Sequence, residues 1–134
     1  MQKSAKRPIP KDTLMEVLGI QIVELNEQRV VAEMPISRAN RQPFGMLHGG
    51  ASVALAETVA SVGTYNLINQ DTQQAVGLEI NANHIRAKRD GTVKAIAIPL
   101  HKGRTTMVWD IKITDEDDQL ICVSRCTMAV INIK

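Results

Sequence analysis

The feature that most constrains this chain is a stretch of about twenty residues that is small or apolar on almost every side. From Gly49 to about Asn69 the sequence is rich in Ala, Ser and Val. Between Arg41 and Asp71 the only Asp, Glu, Lys, Arg or His residues are His48 and Glu57. Such a segment reads as one long helix, buried all round. Most of the longer segments on either side of it read as strands. Ile20–Leu25 and Arg29–Ile36 precede it, around the turn Asn26-Glu27-Gln28. Ala75–Ile85, Thr92–Leu100, Thr105–Thr114 and Leu120–Ile133 follow it, with Asp90-Gly91 and Asp115–Asp118 as turns. In the third of these, Trp109, Ile111 and Ile113 alternate with Asp110 and Lys112, the period of a half-buried strand. A short amphipathic segment, Lys11–Leu18, ends at Gly19, a helix stop.

With no helix after the central one, the last four strands are expected to be antiparallel and joined by short turns. Their open face needs a cover, and the long helix is the one element available. The expectation is an α+β domain: an antiparallel sheet wrapped around one central helix. At 134 residues the chain forms one expected domain, 1–134, with 1–10 a loosely ordered N-terminal segment. Phe44, Tyr65 and Trp109 are the only aromatic residues, so the core must be built from Val, Ile, Leu, Ala and Met.

Sixteen basic residues against fourteen acidic give a net charge of +2, without the basic stripe that nucleic acid requires. The opening Met1–Pro8 is basic but carries no apolar signal segment, and no run is long enough to span a membrane. A cytoplasmic protein without nucleic-acid or membrane partners is expected. Cys122 and Cys126, four apart in one strand, point to the same face too far apart to bridge, and read as buried thiols. His48, His84 and His101 sit on different elements without zinc-site spacing, so no metal is expected. There is no G-x-S-x-G elbow.

Glu57 is therefore the chemically conspicuous residue. A carboxylate on a buried helix costs several kcal/mol unless it is paired or neutralised. It is either one half of a structural ion pair with a strand residue or a base or nucleophile prepared by its surroundings. Ser61 lies one turn on, on the same face, placed to hydrogen-bond a water or substrate. At the start of the helix, Gly49-Gly50 leaves backbone N–H groups open at the positively polarised end, suited to the oxygen of a carbonyl gaining charge. The same pair also fits a tight turn that simply needs glycine. Gly49 and Glu57 are eight residues apart, about 12 Å along the axis at ~1.5 Å per residue. Reacting groups must come within roughly 3–3.5 Å. If both residues serve one reaction, two copies of the helix must lie antiparallel, which predicts a symmetric dimer with sites at its interface.

The block Gln42-Pro43-Phe44-Gly45, His48-Gly49-Gly50 and Glu57 resembles the hotdog-fold thioesterases. The likeness is strongest to the branch with 4-hydroxybenzoyl-CoA thioesterase of the Arthrobacter type and 1,4-dihydroxy-2-naphthoyl-CoA hydrolase. The segments Val76–Arg86, Val108-Trp109 and Cys122…Ser124-Arg125 carry the resemblance further, over nearly the whole chain after Leu14. It implies hydrolysis of an acyl-CoA thioester, with an aromatic acyl group favoured, and no cofactor beyond the CoA of the substrate. It implies Glu57 as nucleophile or general base and the partner chain's Gly49 N–H as the group that polarises the carbonyl. Gln42 and His48 would position the acyl group and Ser61 would assist the water.

By the same resemblance CoA would meet Gly77, His84, Ile85, Arg86 and Ala87, and the loop His101-Lys102-Gly103-Arg104-Thr105-Thr106. Homodimers would pair into homotetramers, with an acylated carrier protein as a further partner. Met46, Leu47, Tyr65 and Leu67 are candidates for shaping the acyl pocket, each also an ordinary core residue. Two other classes fit less of the motif: a dehydratase or hydratase using His48 and Glu57, and a non-catalytic acyl-CoA-binding protein.

Overall fold

A computed structural model describes residues 7–133; the expectation of looseness for residues 1–10 lies largely outside them. The chain begins with a short helix, α1 (Leu14–Leu18), capped by Thr13 and stopped by Gly19, whose φ of 78° is one that glycine adopts without strain. Residues 11–13, expected inside this helix, form the turn before it, because the Thr13 side chain accepts the Glu16 N–H as a cap. Strands β1 (Gln21–Leu25) and β2 (Val30–Pro35) form a hairpin. Its turn is closed by Asn26, whose Oδ1 accepts the N–H groups of Gln28 and Arg29 at 2.8 and 2.9 Å.

The long helix α2 (Gly49–Leu67) then leads to β3 (Gln73–His84), β4 (Thr92–Lys102), β5 (Thr106–Thr114) and β6 (Leu120–Asn132). The six strands make one antiparallel sheet in the order β1-β2-β4-β5-β6-β3, with the helix packed on its inner face. This is the wrapped-helix α+β architecture expected from the sequence.

Two expectations need correction. First, β4, β5 and β6 form a meander, but β3 does not pair with β4; it lies beyond β6 as an edge strand. The chain returns from that edge through a strap, residues 85–91, that crosses the end of the sheet. Ile85 and Arg86 donate to the Ile121 carbonyl, and Ile36 donates to the carbonyl of Gly91. Pairing β3 with β6 leaves β4 free to pair with β2 and close the sheet around the helix.

Second, α2 is not buried all round. Its buried residues, Ala51, Ser52, Leu55, Ala56, Val59, Ala60, Gly63 and Thr64, recur at helical spacing and form one face. The other face, with Ala54, Glu57, Thr58 and Ser61, is only partly covered, because one six-stranded sheet encloses only part of a helix. The covered side packs on Trp109, which is fully buried, and the indole N–H donates to Thr64 Oγ1 at 2.8 Å. Cys122 and Cys126 are free and buried, as their spacing implied. Among the described residues no helix is long and apolar enough to cross a membrane.

Candidate active site

The start of α2 is held by local chemistry. His48 is the N-cap, and its Nδ1 accepts the Gly50 N–H at 2.7 Å. The carbonyl of His48 accepts from Ala51 and Ser52. The Gly49 N–H has no acceptor among the described residues, so one polarised donor is left open at the positive end of the helix. A Cβ on Gly49 would lie 2.9 Å from His84 Nε2, so glycine lets the imidazole rest directly on this backbone.

The preceding turn is closed on itself. Gln42 N–H donates to the Met46 carbonyl at 2.7 Å, and Gln42 Oε1 accepts the Met46 N–H at 3.3 Å as well as the Phe44 N–H. The amide nitrogen of Gln42 is thereby left as a donor. Arg41 holds the Arg89 carbonyl, Arg89 holds the Phe44 carbonyl at 3.1 Å, and Leu47 donates to the Lys88 carbonyl at 2.8 Å. These bonds bind the turn to the strap and leave an open cleft of about 320 Å³ between them. Gln42, Gly49, His84, Ile85, Arg86 and Ala87 all line it, joined by Met46 and Leu47.

A second cluster anchors the strap. Lys88 Nζ lies 2.9 Å from Glu116 Oε1, and Glu116 Oε2 accepts the Thr92 N–H at 2.7 Å. The hydrogen bond from Lys88 first, and that from Thr92 second, hold the Glu116 carboxyl down at about 2, below its ordinary 4.5. The same contact with Glu116 raises the Lys88 ammonium above its ordinary value of 10.5. A carboxyl lowered in the folded state stabilises the fold above its unfolded value, and that contribution is lost as pH falls from 4.5 towards 2. Lys88 contributes below 10.5 and loses its contribution as pH rises beyond that. Native protein is therefore expected to melt higher than Glu116→Gln at neutral pH, with the difference closing as pH falls from 4.5 to 2 in thermal unfolding.

Glu57 lies elsewhere. Its carboxylate packs on Gly77 of β3: a Cβ at that position would overlap Glu57 Oε2 and stand 3.3 Å from Cδ. Gly77 is thus the residue whose missing side chain makes room for the carboxylate. Among the described residues Glu57 has no hydrogen-bond or ion-pair partner, so no structural salt bridge is formed there. The Cys126 thiol is pushed up to about 12, by burial above all and then by the charges of Glu57 and Glu79. Glu57 and Ser61 share a cleft of about 350 Å³ with Leu14, Ala54 and Thr58. Spacing from Glu57 would have pointed to Ala54; nothing in the sequence marked Leu14, Thr58, or Ser52 and Ile121 in the first cleft.

The residues singled out from the sequence therefore fall into two groups within one chain. His84 is in register with Cys122 and Gly77 with Met128, six residues further along β6, or roughly 20 Å at ~3.3 Å per residue. The hairpin His101–Thr106 belongs to the Gly77 end: Thr106 pairs with Ala129, and the Gly103 N–H donates to the Thr106 carbonyl at 2.9 Å. One chain does not bring that hairpin to Arg86. Of the candidate acyl-pocket residues, Met46 and Leu47 lie at the Gly49 cleft and Tyr65 lies beyond Ser61, whereas Leu67 packs on the core. Among the described residues no group of three or more His, Cys, Asp or Glu side chains could hold a metal ion.

Comparison with known proteins places this geometry. Residues 44–122 match the family described as the Thioesterase superfamily. The protein ComA2 of Bacillus subtilis is 63% identical, over 90% of this chain and 96% of its own. The 1,4-dihydroxy-2-naphthoyl-CoA hydrolase of Listeria monocytogenes is 49% identical, over 87% of this chain and 94% of its own. A Staphylococcus aureus thioesterase has solved structures of two alanine variants. One, replacing a glutamate, is 45% identical with a TM-score of 0.88, covering 90% of this chain and 100% of that one. The other, replacing a glutamine, is 46% identical with a TM-score of 0.85, covering 87% and 97%. The two substituted positions are separated by the same fifteen residues that separate Gln42 from Glu57.

Proposed function

This chain belongs to the thioesterase superfamily, and from that premise we propose that it hydrolyses an aromatic acyl-CoA at sites shared between two chains, with Glu57 as the catalytic carboxylate. The observation that carries the reading is the pairing of two unsatisfied groups. Glu57 has no partner among the described residues of its own chain, and the open Gly49 N–H stands about 12 Å away along the same helix. An antiparallel second copy along the uncovered face of α2 brings each Glu57 to the other chain's Gly49. The long edge strand β3, exposed along most of its length, offers the backbone for the two sheets to join. The same two-fold brings the hairpin His101–Thr106 of one chain towards the strap of the other, which assembles the basic groups suited to the CoA phosphates.

In this site the thioester oxygen accepts the Gly49 N–H, with Gln42 as a further donor. Glu57 then acts by one of two routes. As a base it takes a proton from water while the water oxygen bonds the carbonyl carbon. As a nucleophile it adds its own oxygen, and water afterwards cleaves the mixed anhydride. Both break the C–S bond and release CoA thiol and free acid, and neither needs a cofactor. Ser61 lies one turn from Glu57, within reach of the water. His48 contributes mainly by holding the helix start, since its Nδ1 is committed to Gly50. That commitment also weighs against His48 as the base of a hydratase.

The aromatic preference rests on the naphthoyl-CoA hydrolase relatives. An acylated carrier protein as alternative donor, pairing of dimers into tetramers and a cytoplasmic location complete the reading. It is tested by complementation. Glu57→Gln and Gly49→Pro each disable one half of the site; proline is tolerated at the first helical position but has no N–H, and its ring also displaces the His84 imidazole that rests on Gly49. Mixed dimers of the two variants contain one intact site, so about a quarter of native thiol release should return on co-refolding. No recovery from two separately folded, inactive variants would place Glu57 and Gly49 in the same site of one chain, or in no common site.

A further inference from the structure

The cleft beside Glu57 does not end at Ser61. Ser61 also borders a second cleft of about 520 Å³, so the two adjoin along the uncovered face of α2. Lining changes in order along the helix. Next to Ser61 come the aliphatic side chains of Val62 and Leu25; further along the chain stand Tyr65, Asn66 and Gln70, and Arg7 lines the same cleft. Glu57, Ser61 and Tyr65 are spaced by four and share one face, so the trough runs about 12 Å from the carboxylate. Arg7 is held by its backbone, whose N–H donates to the Ile22 carbonyl at 3.2 Å and whose carbonyl accepts from Gln21 Nε2 at 3.4 Å. Its guanidinium has no partner among the described residues.

In the proposed site the thiol half of the substrate takes the basic cleft near Arg86, which leaves the acyl half the direction past Ser61. We infer that this trough is an acyl subsite for substrates whose far end carries an anionic oxygen, with Arg7 as the residue that recognises it. An aliphatic middle suits a ring or methylene chain. A guanidinium in the lining matches a carboxylate in a planar, two-point hydrogen bond that a compact ammonium does not reproduce. Arg7 touches the distal end of the substrate and takes no part in bond breaking.

The inference rests on thioester hydrolysis at Glu57, and its test separates the two. Thiol release is measured for two matched pairs, benzoyl-CoA with 4-carboxybenzoyl-CoA and octanoyl-CoA with suberoyl-CoA, in native protein, Arg7→Ala and Arg7→Lys. Native kcat/KM should favour the carboxylated member of at least one pair by about tenfold or more, the worth of one charge-assisted hydrogen bond. Arg7→Ala should abolish that preference and leave the uncharged member within about twofold, since distal contacts affect only the substrates that make them. Arg7→Lys should restore part of it. Equal rates within both pairs, or a preference unchanged in Arg7→Ala, overturns the subsite while hydrolysis of benzoyl-CoA still stands. No thiol release from any of the four by native protein overturns both.

Discussion

Glu57→Gln is expected to lower thiol release from benzoyl-CoA and 1,4-dihydroxy-2-naphthoyl-CoA by at least about a hundredfold, equivalent to roughly 2.7 kcal/mol of barrier. The change keeps the shape that fits against Gly77 and removes the charge, so the fold should survive and the loss should fall on kcat. An amide can neither take a proton from water at neutral pH nor leave as a carboxylate from an anhydride, so both routes fail together. Native-like circular dichroism and an unchanged melting temperature would tie the loss to chemistry. Full activity would demote Glu57 to a structural residue.

Trp109→Ala should cost about 3–5 kcal/mol of stability, the usual range for emptying a buried aromatic site. Trp109 is the largest fully buried side chain, and it packs against Gly63 of α2. A Cβ on Gly63 would lie 2.5 Å from Trp109 Cη2 and 2.9 Å from Val30 Cγ2, which shows how little space remains between helix and strands. Truncation also leaves the Thr64 hydroxyl in the core without the indole N–H that it accepts at 2.8 Å. A fall in melting temperature of roughly 10 °C or more is the expected readout in thermal unfolding. A drop of only a few degrees would mean that the core collapses into the space. Gly63 and Thr64 lie on the face of α2 opposite the uncovered one that bears Glu57, so residual activity at low temperature should persist.

Sequence alone determined the secondary elements, because each carries a local signal. The helix was marked by small and apolar residues from Gly49 onwards, with Glu57 as the one charged side chain. Strand β5 was marked by period-two alternation, its neighbours by short polar turns, and the end of α1 by a glycine at position 19, a residue type that stops helices. The lone carboxylate at position 57 and the glycine pair at 49–50 needed only composition and spacing to stand out, and the 12 Å between them follows from helical rise.

Tertiary structure decided what no local signal encodes. β3 alternates much like its neighbours, and only the completed sheet showed that it pairs with β6 rather than β4. Pairing depends on which edges remain free once the helix is covered, a property of the whole chain. The same holds for the helix: residue types made it look buried on every side, whereas one sheet covers only one face and leaves the other partly open. Gly77 read as a CoA contact, and the space it leaves for the Glu57 carboxylate became visible only in three dimensions. The trough from Ser61 to Arg7 joins residues fifty-four positions apart, a nearness that only packing creates.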